Sequence, residues 1–364
     1  MIRIPVAAPS RSYEALLESG LLRRAGKCLV ELLGKKRVFV VTVPPVRRRW
    51  GKILTHSLTE AGIEFTVLEM RDGEPAKRLA TLEKLADQLV KLGADRTAAL
   101  VAFGGGVVGD VTGFLASIYM RGIDVVQVPT TVLAQVDAAI GGKTAVNLAA
   151  GKNLLGTFHQ PRAVLIDPSV LTTLPSREYR AGLYEAMKCG IIGDAGLFRL
   201  FEERRREILD RDPVVLEKVI ADSVRLKASV VGADEREGGL RQVLNLGHTI
   251  GHALEADTGY TKLLHGEAVA WGMIAATNIA LSIGKLDSVT AGRITSTILG
   301  FGRLPGMELR PARIVKRLLS DKKTRKGVVH FILPREIGKV EIVNDVPEKV
   351  IQVAVQEIRK LARE

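Results

Sequence analysis

Glu185, His248 and His265 are a carboxylate and two imidazoles carried by three separate stretches, Gly182 to Lys188, Asn245 to His252 and Leu264 to Glu267. Such a set holds a divalent metal with one position left open for a substrate, the pattern of catalytic rather than structural zinc. Cys28 and Cys189 are the only cysteines, so a sulfur-built structural site is excluded. His248 and His252 are four residues apart and share a face if that stretch is helical. Two readings follow: both bind the metal, or one binds while the other handles protons. The order is not His-Glu-x-x-His, which argues against a zinc protease. His56, His159 and His330 read as hydrogen-bonded core histidines.

A second chemistry lies upstream. Gly104-Gly105-Gly106-Val107-Val108-Gly109-Asp110 follows a predicted strand and leads into a predicted helix over 111–120. Glycines there permit positive φ and close backbone approach, and amides at a helix start face an anion, so a diphosphate is the natural guest. The spacing contains Gly-x-Gly-x-x-Gly, but it comes too late in the chain to open an ordinary dinucleotide fold, and Asp124 begins the next strand instead of an acid ending it. Asp72-Gly73-Glu74-Pro75-Ala76-Lys77 and Pro129-Thr130-Thr131 also end strands, the edge where open α/β sheets bind ligands. Their acids and hydroxyls suit ribose. Asp137 and Lys143, then Lys152 and Asn153, are polar groups amid small apolar neighbours, which are costly to bury unless paired or bound. Lys188 stands three residues after Glu185, at intrahelical ion-pair spacing. Arg241 and Asn245, four apart, are expected to face one cavity.

The elements that must position these residues read as two domains. A chain of 364 residues exceeds one ordinary hydrophobic core. Apolar runs at 37–43, 65–68, 98–103 and 125–128 alternate with helical patterns at 46–61 and 78–92, which predicts a parallel sheet covered on both faces. Beyond about 175 the pattern is long helices, clearest at 214–233 and 268–284. We therefore expect an α/β chain, with a parallel-sheet domain over 1–170 and a mainly α-helical domain over 171–364. Apolar stretches stay short of a membrane span, and the start Met1-Ile2-Arg3-Ile4-Pro5 lacks the features of a secretory leader, so a soluble cytoplasmic protein is the expectation. The net charge of +13 lies largely in runs such as Arg47-Arg48-Arg49 and Arg204-Arg205-Arg206, and aromatics are 4% of the chain. Without interleaved aromatics to stack bases, these runs read as solvated surface and nucleic acid is not an expected partner.

Taken in order, Asp72-Gly73-Glu74, Gly104 to Asp110, Arg121-Gly122, Pro129-Thr130-Thr131, Gly141-Gly142-Lys143-Thr144, Gly151-Lys152-Asn153, Asp234-Glu235-Arg236, Asn245-Leu246-Gly247-His248 and Leu264-His265-Gly266-Glu267 resemble the 3-dehydroquinate synthase family over roughly residues 70–335. The resemblance implies an NAD-binding α/β domain followed by a helical metal- and substrate-binding domain, an active site in the cleft between them, and a homodimer. It implies conversion of 3-deoxy-D-arabino-heptulosonate 7-phosphate to 3-dehydroquinate and phosphate, with NAD recycled and a divalent metal, zinc or cobalt.

By the same resemblance Glu185, His248 and His265 hold the metal. Lys152, Asn153 and Arg121 lie near the phosphate, with Arg121 supplied by the neighbouring subunit. Lys188, Lys227, Arg241, Asn245 and Lys322 or its neighbour Lys323 hold carboxylate, hydroxyls or phosphate, and His252 is a proton relay. NAD is assigned to Asp72, Glu74 and Lys77, to Gly105, Gly106, Val107, Val108, Gly109 and Asp110, and to Thr130 and Thr131. Asp137, Lys143, Lys152 and the run Val170, Leu171, Thr172 and Thr173 complete that set, with Asp137 on the nicotinamide side. Ala138-Ala139 replaces the family's usual two serines, and Tyr184-Glu185-Ala186-Met187-Lys188 a more usual Ala-Glu-Val-Ile-Lys. The alternatives are a sibling sugar-phosphate cyclase, of 2-deoxy-scyllo-inosose synthase or aminated-substrate type, and a metal-dependent dehydrogenase of glycerol-dehydrogenase type.

Overall fold

The computed structural model describes every residue except 308–309, 325–328, 345 and 364, and only the backbone at 319–324. The chain divides into two compact units, residues 1–175 with 216–236, and residues 176–215 with 237–364. The helix expected at 214–233 is observed as Pro213–Ala233, and all but its first turn belongs to the first unit rather than the second. Polar side chains tie it to that unit. Lys227 is ion-paired with Asp137, and just beyond the helix Glu235 accepts from Gln160 Nε2 at 2.8 Å and from the Ser10 amide at 2.9 Å. Burial raises the Glu235 pKa, but these hydrogen bonds outweigh it and hold the carboxyl below its ordinary value.

The first unit is built on a seven-stranded sheet. Its strands are β1 (Ile2–Ala8), β2 (Arg11–Leu17), β3 (Val38–Thr42), β4 (Phe65–Glu69), β5 (Ala99–Gly104), β6 (Asp124–Pro129) and, after the hairpin of β7 (Lys143–Leu148) and β8 (Gly151–Phe158), β9 (Ala163–Ile166). Their order is β1-β2-β9-β6-β5-β3-β4, and every pairing is parallel except β1 with β2. β3 and β5 are buried along their whole length, which is why they read as unbroken apolar runs without alternation. The helix Leu79–Lys91 buries Leu82, Leu85 and Leu89, one amphipathic face at helical spacing. Asp124 is held by Lys36 at 2.6 Å and Arg11 at 3.3 Å, a structural salt bridge at the N-terminal edge of the sheet.

The second unit is mainly helical, with one hairpin, β10 (His330–Glu336) and β11 (Lys339–Asn344), that the sequence patterns did not separate. Its centre is the helix His265–Ser282, where a run of Ala, Gly and large apolar residues is buried on all sides. Helices Ser176–Gly193, His248–Asp257 and Glu348–Leu361 pack against it. Among the described residues no helix is long and apolar enough to cross a membrane. His159 is half-buried with Nε2 3.0 Å from the Ile123 carbonyl, as a structural histidine should be. His56 and His330 are not core residues: His56 is exposed beside Glu60, one helical turn on, and His330 is exposed with Nδ1 2.6 Å from Asn344 Oδ1.

Candidate active site

In the first unit the expected nucleotide residues gather at the carboxyl ends of β4, β5, β6 and β9. Gly105 precedes the helix Gly106–Ile118, which opens with Val107 and Val108 and carries Gly109 and Asp110 in its second turn. None of Gly104, Gly105, Gly106 and Gly109 has positive φ, contrary to the expectation from the sequence. Their small size matters instead: a Cβ on Gly109 would stand 2.9 Å from Gln127 Oε1, and one on Gly105 3.1 Å from Thr131 Cγ2. Thr130 donates its amide to the Gly104 carbonyl at 2.9 Å, joining this turn to the end of β6, and Thr131 Oγ1 accepts from the Ala134 amide at 3.2 Å. Val170 and Leu171 are buried in the short helix Pro168–Thr173 after β9, where Thr173 accepts from Trp50 Nε1 at 2.9 Å and Thr172 stays exposed.

Lys77 is buried at 5% exposure and is the hub of this side. It ion-pairs with Asp110 and donates to Asn153 Oδ1. Burial pushes the Asp110 carboxyl above its ordinary pKa despite the opposing pull of the Lys77 ammonium. Asn147, which sequence reasoning missed, is a bridge: its Nδ2 donates to Glu74 Oε1 at 2.7 Å, and its Oδ1 accepts from the Asn153 amide at 2.9 Å. Asn153 is held at φ +57, a left-handed conformation Asn tolerates better than most residues. The start of β8, which carries Lys152 and Asn153, is thereby tied to the loop of Asp72, Glu74 and Lys77. No motif marks Asn147, because its partners are 73 residues upstream and six downstream. Asp72 and Lys143 are exposed, and Arg121 is exposed at φ +70 between Met120 at φ +50 and Gly122. Asp137 forms an ion pair with Lys227, whose Nζ also donates to the Asp137 carbonyl at 2.6 Å.

In the second unit the three expected metal ligands converge. Glu185 is fully buried on the helix Ser176–Gly193, while His248 and His265 are each the first residue of a helix. Glu185 Oε1 is 3.9 Å from His248 Nε2 and 3.5 Å from His265 Nε2. Donors about 2.0–2.1 Å from a tetrahedral zinc stand about 3.4 Å apart, so these three atoms can share one ion. Glu185 Oε1 is buried with no hydrogen-bond partner among the described residues, which is tolerable for a carboxylate only beside a cation. Its other oxygen is 2.8 Å from Lys188 Nζ, the expected intrahelical pair, and that ammonium also donates to the Leu244 carbonyl at 2.6 Å.

His252 joins the cluster. Ligating atoms of His248, His252 and His265 lie within 4.8 Å of one another, and His252 is the exposed member. The cluster therefore offers a fourth donor beside the expected three. Both inner imidazoles present Nε2 because Nδ1 is engaged elsewhere: His248 Nδ1 is 3.2 Å from the Leu246 carbonyl, and His265 Nδ1 is 3.2 Å from Glu255 Oε2. Burial disfavours a charged His265, but the hydrogen bond to Glu255 and the charges of Glu185 and Glu255 prevail and raise its pKa.

Glycine contacts set the convergence. A Cβ on Gly266 would stand 1.8 Å from the Ala181 carbonyl, and one on Gly272 1.9 Å from the Gly247 carbonyl, so neither helix could approach as it does with any larger residue. Gly247 itself sits at φ +80 immediately before His248 and turns the chain into its helix. Arg241 is buried, but Leu240–Asn245 is a 3-10 helix, in which positions four apart diverge by about 120°, so Arg241 and Asn245 do not share a face. Asn245 donates instead to Glu237 Oε1 at 2.7 Å. The Lys322 side chain falls outside the described residues.

Residues 67–181 match the profile of the 3-dehydroquinate synthase N-terminal region, and residues 182–324 that of the 3-dehydroquinate synthase C-terminal region. The chain belongs to the 3-dehydroquinate synthase family. The 3-dehydroquinate synthase of Koribacter versatilis (strain Ellin345) is 54% identical over 363 residues, covering 100% of this chain and 99% of the relative. Among solved structures, 2-epi-5-epi-valiolone synthase from Streptomyces hygroscopicus subsp. jinggangensis 5008, with NAD+ and Zn2+ bound, superposes with a TM-score of 0.89 at 32% identity, over 97% of this chain and 98% of that one. A 2-deoxy-scyllo-inosose synthase complexed with carbaglucose-6-phosphate, NAD+ and Co2+ gives 0.86 at 26% identity, over 98% and 99%. The α/β plus helical architecture expected from the sequence is thus that of the sugar-phosphate cyclases.

Proposed function

We infer that this chain is a lyase that converts 3-deoxy-D-arabino-heptulosonate 7-phosphate to 3-dehydroquinate and phosphate, by transient oxidation, phosphate elimination, re-reduction and intramolecular aldol closure. The observation that carries the reading is full-length identity of 54% to a 3-dehydroquinate synthase, combined with a buried carboxylate oxygen, Glu185 Oε1, that faces two imidazoles. When bound, NAD supplies reversible oxidation at a substrate carbon, and a divalent zinc or cobalt ion supplies the Lewis acid that lowers the pKa of the substrate hydroxyls.

The chain's own residues do the rest. Glu185, His248 and His265 hold the ion, and Lys188 offsets the charge on the outer Glu185 oxygen. The exposed His252 stands beside them, placed to hold or move a proton. The amides at the helix start, from Gly105 to Val108, face the dinucleotide diphosphate, with Gly109 and Asp110 beside them. Asp72, Glu74, Lys77 and Asp110 suit the ribose hydroxyls, with Thr130, Thr131 and the Val170 to Thr173 run alongside. Asp137 and Lys143 belong to the nicotinamide side. Lys152, Asn153 and Arg121 take the substrate phosphate, and Lys227, Arg241, Asn245 and Lys322 its carboxylate and hydroxyls. A buried Arg241 favours a carboxylated substrate over a sugar phosphate without a carboxylate, such as the carbaglucose-6-phosphate bound by the solved 2-deoxy-scyllo-inosose synthase.

The chain acts as a homodimer. The exposed apolar side chains Ile118, Leu154 and Phe158 support this, on a helix and a hairpin joined by Thr157 Oγ1 donating to Ser117 Oγ at 2.8 Å. Two buried, unbridged cysteines support a reducing cytoplasm. The test is phosphate release from 3-deoxy-D-arabino-heptulosonate 7-phosphate with substoichiometric NAD and Zn2+ or Co2+. Phosphate in excess of NAD without accumulating NADH is the expected result. No release indicates a sibling cyclase, and steady NADH production from simple polyols would mean a dehydrogenase.

A further inference from the structure

Glu255 belongs to no motif used above, yet its carboxylate lies against the metal cluster. It sits on the helix His248–Asp257, three residues after His252 and seven after His248, so it shares their stripe. It is 3% exposed, and its Oε2 is 3.2 Å from His265 Nδ1, at the start of the neighbouring helix. A buried carboxylate is costly without a charge-assisted partner, so this position is not a neutral place for an acid. The two inner imidazoles are oriented in the same sense by different means. His248 Nδ1 meets a neutral carbonyl, whereas His265 Nδ1 meets an anion.

We propose that Glu255 is a positioning residue for the metal: by accepting the Nδ1 proton of His265 it fixes that ring with Nε2 toward Glu185 and makes it the more strongly donating of the two imidazoles. The proposal rests on the ligand reading given above. A carboxylate in this relation to a ligating imidazole fixes the tautomer and raises ligand basicity, and its loss typically weakens metal binding 10–100-fold. Glu255 touches neither substrate nor cofactor in this role. Its effect reaches the reaction only through occupancy and geometry of the ion.

The experiment is Zn2+ affinity by competition with a chromophoric chelator, for the full chain and for Glu255→Gln, Glu255→Asp and His265→Ala. Visible absorption of the Co2+-loaded forms reports ligand geometry, and thermal midpoints of the metal-free forms control for folding. Glu255→Gln preserves volume and should weaken Zn2+ by about 10–100-fold, with altered Co2+ bands and a metal-free form that still melts cooperatively. Glu255→Asp should recover part of the loss, because the charge is kept. If Glu255→Gln binds Zn2+ as tightly as the parent while His265→Ala does not, the positioning role is overturned and the ligand set stands. If His265→Ala also binds normally, the ligand reading itself fails.

Discussion

On the nucleotide side, Lys77 lies between Asp110 and Asn153, Lys227 is paired with Asp137, and Glu74 accepts from Asn147. On the metal side, Glu185 Oε1 is buried without a hydrogen-bond partner among the described residues, and two imidazole Nε2 atoms lie 3.5 and 3.9 Å from it. The first set satisfies its own charges, and a ligand that takes over one of these bonds replaces one partner with another. The second is held in an arrangement that makes sense only around a cation. Exchanging partners costs little net free energy when each lost bond is replaced, so such a site adapts. A converged donor set has its geometry fixed by packing in advance, and a ligand lost from it is not replaced.

The contrast predicts a steep scale of effects. Glu185→Gln and His265→Ala should reduce bound metal to a trace and lower kcat/KM at least about 10³-fold, because several kcal/mol of charge stabilisation depend on the ion. Metal analysis of the purified variants checks this, and full occupancy would dissolve the contrast. Next comes Gly266→Ala. The added methyl must displace the Ala181 carbonyl or the helix bearing His265, an overpacking that costs about 1–3 kcal/mol. Thermal melts should show that loss together with weaker Zn2+ binding. An equally destabilising substitution elsewhere in the second unit should leave Zn2+ affinity alone.

Lys227→Ala leaves the Asp137 carboxylate without this partner and should lower kcat/KM about 10²-fold through misplacement of the reacting groups. Metal content should not change, which separates the two sides. A pH series sharpens the same point. The raised pKa of His265 lets protons compete with the metal at and above the ordinary imidazole value of about 6.5. Zn2+ affinity should therefore fall as pH is lowered through the neutral range. In the metal-free chain the sign is the reverse: the stabilisation from protonated His265 is complete below about 6.5 and is lost as pH rises through the raised value. A Zn2+ affinity independent of pH between about 6 and 8 would contradict this assignment. The smallest effect belongs to Asn147→Ala. Removing a bridge with one bond to Glu74 and one to Asn153 should weaken NAD and substrate binding by about 1 kcal/mol each, readable as paired rises in KM with kcat nearly unchanged.

Much of the sheet was legible because β3 and β5 are apolar from end to end, a pattern produced by burial on both faces. The hairpins β7–β8 and β10–β11 were not. β8 is largely exposed and carries Leu154, Leu155 and Phe158 outward, so it lacks the inward-outward alternation that identifies a half-buried strand. The helix at 213–233 was recognised as an element but placed with the wrong unit. Its periodicity records that it has an apolar face, not which body that face packs on.

The sequence by itself determined the chemical inventory: two imidazoles and a carboxylate without cysteine, a glycine turn after a strand, and lysines spaced to reach anions. Residue type fixes what a side chain can coordinate or donate, and no folding is needed to read it. Tertiary structure alone decided which of these groups meet. Gly266 and Gly272 let three helices approach until Glu185, His248 and His265 share one point. Glu255 gained its place behind His265, and Asn147 its place between Glu74 and Asn153, from packing across separations that no local pattern encodes. The reason is geometric: side-chain chemistry acts over about 3 Å, and only the packing of whole elements brings distant residues to that range.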